Sequence, residues 1–306
     1  MEKTVIVDLP ATTTGDVSKK LVEIRESGGA VTLGRVLTLV VLTKSVSGAE
    51  DAIAAANEAS REHPCRVIVL APDDRDAPPG LDAQIRVGGD AGASEVVILR
   101  LHGELADHED SVVVPFLLPD TPVVAWWPDE APPVPGKDKV GKLAIRRITD
   151  ATHAPDPRSA IAGRLASYTK GDTDLAWSRI TYWRALLTTA LDQVSEPVES
   201  VAVSGLWEEP ALDILAGWLA GRLSVPVTRR VGPLTVEMRL VGGGVVSISR
   251  PQTGTTATLR RTGQPDTLVS LARRETRDCL AEELRRLDRD EIYEEALASL
   301  GKVTYE

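Results

Sequence analysis

The chain contains very little cysteine. Cys65 and Cys279 are the only two cysteines among its 306 residues, and they are far apart and without CxxC spacing. Disulfide frameworks are typical of short secreted chains with several cysteines. The sequence therefore argues against such a framework, and we expect both thiols to be buried or incidental.

Long apolar runs and a basic patch are missing too. No apolar run approaches the ~18 residues of a membrane-spanning helix, and no export signal is visible. The formal net charge is −10, whereas binding to nucleic-acid phosphates depends on a basic patch. Basic pairs are dispersed among acids, and we interpret them as solvated surface: Arg146-Arg147, Arg229-Arg230 and Arg285-Arg286. We expect a cytoplasmic protein that binds neither membranes nor nucleic acids.

Motifs for catalysis and cofactor binding are also absent from the sequence. It contains no GxxxxGK[ST] loop, no GxSxG elbow and no complete GxGxxG after a strand. The glycine-rich segment 88–92 follows a strand, but its spacing favours an ordinary turn over a pyrophosphate loop. His102 and His108 are six residues apart, which does not place two metal ligands on one helical face. We expect no metal and no cofactor, and no catalytic residue can be identified.

Hydrophobic patterning in the first half alternates between helices and strands. Residues 15–27 are predicted to be a helix that stops at Gly28-Gly29. Apolar runs without alternation indicate strands buried on both faces, as in a parallel or mixed sheet between helices. The predicted strands are 34–43, 66–70, 83–87, 95–101 and 122–127, and the other predicted helices are 47–62 and most of 104–118. The first domain, residues 1–155, is therefore predicted to be α/β.

The second half has a different pattern. A proline-rich stretch at 128–139 and a second proline-containing connection after a possible edge strand at 146–152 place the domain boundary near 153–158. Beyond residue 225 apolar residues alternate with period two, which indicates an antiparallel meander. Helices are predicted at about 157–168, 174–192, 210–226, 275–287 and 288–299, with a strand at 200–205. Residues 156–306 are therefore predicted to form an α+β domain.

The segment 171–192 is predicted to be one amphipathic helix. Asp172 or Thr173 can serve as the N-cap, and Asp174 adds negative charge at the positive end of the helix dipole. Spacings of three and four residues define one apolar stripe on this helix. The stripe consists of Ile180, Trp183, Leu187 and Leu191.

A neighbouring face of this helix mixes aromatic area with charge. Trp177 and Arg184 are two turns apart on it, and Arg179 lies four residues before Trp183, close enough to cover that indole. Tryptophan and arginine are enriched where one protein binds another. The alternative is that both tryptophans are core residues and the arginines pair with carboxylates. Periodicity alone leaves both interpretations open.

Trp126 and Trp127 form a second aromatic feature. Neighbours in a strand point to opposite faces, and Pro128 and Asp129 follow directly, so we expect one indole to emerge at the strand end. The pair could pack at the domain junction, contact a partner, or line a ligand crevice at the carboxyl ends of the strands. All three interpretations stay open.

Three segments carry a resemblance to a known protein family. They are GGDAGASEVVILRLHGELADH at 88–108, DTPVVAWWPDEAP at 120–132 and GDTDLAWSRITYWRALLTTALD at 171–192. With them the chain resembles, over nearly its whole length, the glucose-6-phosphate dehydrogenase assembly protein family, OpcA, of the actinobacterial type. The residues that match the signature of this family are Asp174, Leu175, Trp177, Arg179, Trp183 and Arg184, with Trp126-Trp127 as an independent match.

The resemblance implies a non-enzymatic protein of the oxidative pentose phosphate pathway. Such a protein would bind glucose-6-phosphate dehydrogenase and promote its active oligomer. The residues expected to contact this partner are Trp126, Trp127, Asp174, Trp177, Arg179, Trp183 and Arg184. The competing hypothesis is a small-molecule enzyme or sugar-phosphate sensor that uses a cleft at the strand ends of the α/β domain.

Overall fold

The computed structural model describes residues 5–27, 36–44, 46–88 and 95–306. The predicted helix stop at Gly28-Gly29, the first residues of the predicted strand 34–43, and most of the glycine-rich segment 88–92 lie outside these residues. The chain divides into two compact units. Unit 1 comprises Met1–Asp150, Thr169–Asp172 and Thr276–Asp288; unit 2 comprises Ala151–Tyr168, Thr173–Glu275 and Arg289–Glu306. The predicted domain boundary between residues 155 and 156 stays a prediction.

Helices are interspersed among the strands in the first half of the chain, and strands dominate between residues 227 and 270. The strands are β1 (Val5–Leu9), β2 (Leu37–Leu42), β3 (Cys65–Pro72), β4 (Gly80–Val87), β5 (Glu95–His102), β6 (Val123–Trp127), β7 (Arg146–Thr149), β8 (Asp172–Asp174), β9 (Val198–Gly205), β10 (Val227–Val231), β11 (Thr235–Leu240), β12 (Val245–Ser249), β13 (Thr256–Arg261), β14 (Thr267–Ser270) and β15 (Val303–Tyr305). The helices are α1 (Thr14–Ser27), α2 (Val46–Glu62), α3 (Glu109–Val113), α4 (Pro157–Ser167), α5 (Leu175–Arg179), α6 (Thr181–Leu191), α7 (Pro210–Leu223), α8 (Thr276–Arg285) and α9 (Glu291–Ala298).

The first sheet is mixed, as the patterning predicts. Its order is β1-β4-β5-β3-β2-β6-β7-β8. The strands from β5 to β7 in this order pair in parallel, whereas β4 runs antiparallel to both β1 and β5. Every residue of β2 is buried, which agrees with its unbroken apolar sequence. Both cysteines are buried as well, as expected.

The order of the parallel strands changes direction between β2 and β6. After β2 the chain adds β3 and later β5 on one side, and it then crosses to place β6 and β7 on the other side. The loops that follow β2 and β6 therefore lead away from each other at the carboxyl edge. A crevice for ligands forms at such a point in open α/β sheets.

The second sheet combines the predicted antiparallel meander with a parallel part. Its order is β14-β13-β12-β11-β9-β10-β15, and β11 to β14 pair antiparallel in sequence order. β9, β10 and β15 are parallel, with α7 connecting β9 to β10. The patterning did not predict β10 or β15. β10 contains two adjacent arginines and β15 has three residues, so neither carries a recognisable apolar alternation.

The predicted single helix over 174–192 is wrong in one respect, because the segment forms two helices. α5 ends at Arg179, Ile180 leaves helical geometry with φ −96° and ψ 6°, and α6 begins at Thr181. The N-cap is Asp174, not Asp172 or Thr173, which are extended in β8. Extended backbone at these positions puts the first free helical amides beside the Asp174 carboxylate.

The prediction that the basic pairs lie on solvated surface is wrong for three of their arginines. Arg146, Arg147 and Arg229 are 2%, 6% and 0% exposed, although the sequence indicated solvated surface. Each has an acidic partner: Arg146 pairs with Glu283, Arg147 with Asp172 and Arg229 with Asp213. A buried charge is tolerated only when it is paired. The partners of Arg147 and Arg146 lie 25 and 137 residues away in the sequence, and the partner of Arg229 lies in α7.

Close packing of α7 on α9 depends on glycine. A Cβ atom added at Gly217 would lie 2.5 Å from the carbonyl oxygen of Ala296, whereas one at Gly163 in α4 would meet nothing within 4 Å. Both glycines are in helices of unit 2, so they form a matched pair for substitution.

We expect Gly217→Ala to lower the free energy of unfolding by roughly 1–3 kcal/mol, because the new methyl group forces α7 away from α9. Gly163→Ala should instead stabilise the protein by about 0.5–1 kcal/mol through lower backbone entropy in the unfolded chain. Urea unfolding followed by circular dichroism measures both changes. A Gly217→Ala variant more stable than the parent would contradict the close helix contact.

Candidate functional site

Asp174 connects β8 to the start of α5. Its carboxylate accepts hydrogen bonds from the backbone N–H of Ala176 at 2.9 Å and of Ala151 at 3.0 Å. The side chain is fully buried. Asp174 therefore orients α5 within unit 2 through backbone contacts, as a buried N-cap does.

Trp177, in α5, is buried in unit 2. It is 1% exposed, its indole N–H donates to Asp290 at 2.8 Å, and its ring lies 5.9 Å from that of Tyr293. The guanidinium carbon of Arg184 is 3.5 Å from the centre of the indole, so Trp177 and Arg184, which the sequence placed on one face, form a direct cation–π contact. Asp290 in turn caps α9 by accepting from the backbone of Tyr293.

Trp183 and Arg179 lie in different surroundings. Trp183 is 5% exposed and belongs to the core of unit 2, while Arg179 is half-buried at the end of α5. The guanidinium carbon of Arg250 is 5.8 Å from the centre of the Trp183 ring. The core interpretation of the two helical tryptophans therefore describes their burial correctly. Whether the arginines beside them contact a partner stays a prediction.

Trp126 and Trp127 are both buried, at 0% and 4% exposure. The expectation that one indole emerges at the strand end is therefore wrong. Trp127 belongs to the core of unit 1 and also lines a cavity at the end of β6. Ala131, in the loop after β6, packs on the same core.

The exposed aromatic surface beside the tryptophans belongs to a residue that sequence reasoning missed. Tyr182 in α6 is 50% exposed, and the guanidinium carbon of Arg274 lies 5.1 Å from its ring centre. Arg274 also donates to the carbonyl oxygen of Ser178 at 2.7 Å, which ties it to α5. The sequence did contain a signal for the exposure of Tyr182, because this residue falls outside the apolar stripe of Ile180 and Trp183.

A second aromatic and arginine cluster lies elsewhere in unit 2. The guanidinium carbon of Arg158 is 3.6 Å from the ring centre of Trp207 and 4.7 Å from that of Tyr305. Asp213 pairs with Arg158 at 3.3 Å and with the buried Arg229 at 3.2 Å. Because its members are separated by up to half the chain, sequence spacing carries no signal for this cluster.

Unit 1 contains a cavity of about 420 Å³ at the carboxyl edge of its sheet. It is lined by residues that follow or end β2, β3 and β6, and by the loop after β6. The lining residues are Leu42, Thr43, Lys44, Pro72, Arg75, Glu109, Trp127, Glu130, Ala131, Pro132 and Pro133. This edge is where the order of the parallel strands changes direction.

Glu109 is the titratable group of this cavity with a strongly shifted pKa. Burial raises the pKa of its carboxyl group from 4.5 to about 7, and the negative charge of Asp138 adds to the increase. Arg75 and Lys139 act in the opposite direction. Glu109 can therefore donate or accept a hydrogen bond near neutral pH.

The part of the chain that the structure describes contains neither a metal-binding cluster nor a membrane-spanning helix. Within it, no group of three or more His, Cys, Asp or Glu side chains could hold a metal ion. No helix there combines the length and the apolar character of a membrane span.

Both halves of the chain match family models of one protein. Residues 56–166 match the model described as the glucose-6-phosphate dehydrogenase subunit N-terminal domain, and residues 170–297 match that of its C-terminal domain; both models bear the name OpcA. The two matches follow each other in the order that their descriptions imply. No curated protein matches the chain.

Distant similarity to solved structures concerns the fold alone. The 3-ketoreductase KijD10 from Actinomadura kijaniata, in complex with TDP-benzene and NADP, is 11% identical with a TM-score of 0.45, over 88% of this chain and 99% of that chain. An NAD binding oxidoreductase from Klebsiella pneumoniae is 10% identical with a TM-score of 0.45, over 87% of this chain and 96% of that chain. Similarity at this level carries no argument about activity.

Trp177 and Trp207 each lie under an arginine, but only Trp177 is buried and hydrogen-bonded to a capping aspartate. We expect Trp177→Ala to cost about 3–5 kcal/mol of stability, because it leaves a large cavity and removes the indole partner of Asp290. Trp207→Ala, with the same kind of cation–π contact at a partly buried site, should cost less. Urea unfolding of both variants measures the difference, and equal losses would show that Trp177 is not the more strongly packed residue.

The raised pKa of Glu109 predicts a pH-dependent contribution to stability. Between pH 4.5 and about 7 the folded state keeps a proton that the unfolded state releases, so the free energy of unfolding falls as pH rises. Glu109→Gln removes this loss, which we expect to be roughly 1–2 kcal/mol because the side chain is partly solvated. The Tm of both proteins should be measured between about pH 5 and 8. Parallel Tm profiles would contradict the shifted pKa.

Proposed function

Because the chain belongs to the OpcA family of glucose-6-phosphate dehydrogenase subunits, we propose that it binds glucose-6-phosphate dehydrogenase and promotes its active oligomer. The observation that carries this proposal is the pair of consecutive matches over residues 56–166 and 170–297. We further propose that the chain acts without catalysing a reaction itself, and that it meets the enzyme in the cytoplasm. Its assignment to the actinobacterial type of the family stays a prediction.

A binding protein of this kind changes the enzyme by mass action. It can shift the dehydrogenase toward an active oligomer only by as much as its affinity differs between the two states of the enzyme. The binding free energy would come mainly from a few aromatic and arginine side chains at the centre of the contact.

We place the contact on the outer side of the α5–α6 helix pair. Tyr182 and Arg274 supply a half-exposed aromatic ring under a guanidinium group, a combination that is enriched at protein interfaces. Arg179 and Arg184 are only partly buried and can add charge to the same contact.

In this proposal the buried residues of the predicted site act indirectly. Asp174 fixes the start of α5, while Trp177 holds Arg184 by stacking and α9 through Asp290. Trp183 packs the inner side of α6 into the core. They keep the helix pair rigid, which reduces the entropy lost when a partner binds.

The test of the function is to mix the purified chain with the glucose-6-phosphate dehydrogenase of its own host. We expect both proteins to elute together in size-exclusion chromatography and the specific activity of the enzyme to rise. If neither complex nor activation occurs, the assembly function is wrong. Turnover of sugar phosphates by this chain alone would instead favour the competing enzyme hypothesis.

The test of the surface is Tyr182→Ala, alone and with Arg274→Ala. We expect both variants to lose about tenfold or more in affinity for the dehydrogenase. Tyr182→Ala alone should change Tm little, because the tyrosine ring is half-exposed. Tyr305→Ala is the matched control, since it removes another partly exposed tyrosine in contact with an arginine of unit 2. Full activation by the Tyr182 variants, or an equal loss in the control, would show that the contact lies elsewhere.

A further inference from the structure

The cavity of unit 1 lies where an open α/β sheet forms a ligand crevice. Lys44 follows β2 by two residues and Trp127 ends β6, and the strand order changes direction between these two strands. Both residues line the cavity, whose volume of about 420 Å³ falls within the range of small-molecule sites. Its position is a consequence of topology and is independent of any partner protein.

We propose that this cavity binds a small organic phosphate whose organic part is a ring with hydroxyl groups. The inference goes beyond the proposed function, because it concerns a ligand of the chain itself. It does not depend on binding to the dehydrogenase.

The apolar part of the lining suits a ring. Trp127 belongs to the core of unit 1 and also lines the cavity, together with Leu42 and the two prolines at 132–133. A rigid aromatic wall with few rotatable bonds binds flat or puckered rings at low entropic cost. Because the indole is held by the core, this wall exists before the ligand arrives.

The cationic groups at the cavity suit a phosphate. Lys44 pairs with Glu130 at 2.8 Å and Arg75 with Asp107 at 2.9 Å, and all four side chains are more than half exposed. Exposed ion pairs of this kind are weak, so both cations can exchange their carboxylates for phosphate oxygens.

Glu109 is a further polar residue of the cavity lining. Its carboxyl group lines the cavity, and because its pKa is raised to about 7 it carries a proton in a large fraction of molecules at neutral pH. A protonated carboxyl group donates a hydrogen bond to a hydroxyl or phosphate oxygen and repels a phosphate less than a carboxylate does. Asp107, Asp138, Arg75 and Lys139 are the charged groups that act on it.

Isothermal titration calorimetry of the isolated chain at neutral pH tests the proposal. The probes are glucose 6-phosphate, adenosine monophosphate, glucose, adenosine and inorganic phosphate. We expect one phosphorylated ring to bind at least about tenfold more tightly than its unphosphorylated form and than phosphate alone. The phosphorylated probe that binds more tightly identifies a sugar or a nucleoside as the organic part. No binding of either up to about 10 mM would overturn the proposal.

Variants with matched controls locate the binding. Lys44→Ala and Arg75→Ala should each weaken binding about tenfold. Lys19→Ala and Arg61→Ala remove the same residue types from exposed ion pairs of unit 1 outside the cavity, and should bind as the parent does. Equal losses in both sets would mean unspecific attraction of anions and would also overturn the proposal.

Nuclear magnetic resonance gives a second readout, which reports where in the protein the ligand binds. The indole N–H signal of Trp127, assigned as the one missing from the Trp127→Phe variant, should shift when the ligand is added. The signal of Trp126, on the opposite face of β6, should shift less. A shift of Trp126 alone would exclude the cavity as the site. Failure of these experiments leaves the assembly function intact, since complex formation is measured separately.

Discussion

The contacts of Trp177 are the interaction on which the helical part of unit 2 depends. One buried side chain reaches Arg184 in α6 by stacking, and Tyr293 and the capping Asp290 of α9 by ring contact and hydrogen bond. A buried indole N–H needs an acceptor, and a guanidinium group over an indole gains from the ring quadrupole. The same residue therefore joins three helices and holds an arginine in a defined place.

The sequence assigned partner contact to one group of tryptophans and arginines, whereas the structure separates interior packing from exposed surface. The tryptophans of the two aromatic motifs are interior residues, whereas the surface beside the helix pair belongs to Tyr182 and Arg274. Trp127 has a different position, since it belongs to the core and still borders a cavity. In our proposal, the two helical tryptophans support the partner surface and are not part of it.

Strand order gives unit 1 its cavity. The parallel strands grow outward from β2 in both directions, so the loops after β2 and β6 diverge and leave a crevice between them. Local patterning predicted these strands and their burial, since unbroken apolar runs have no exposed face. It did not predict which strands are neighbours, because pairing in a sheet is a contact between residues far apart in the chain.

The sequence by itself determined the fold class of both halves, the family, and the presence of Trp177 and Arg184 on one side of a helical segment. These properties depend on residue order over a few turns or on a motif. Only the tertiary structure decided that Asp174 is the cap, that Arg146, Arg147 and Arg229 are buried, and that Tyr182 is exposed. Burial and ion pairing are set by residues brought together from distant parts of the chain, and local periodicity contains no information about them.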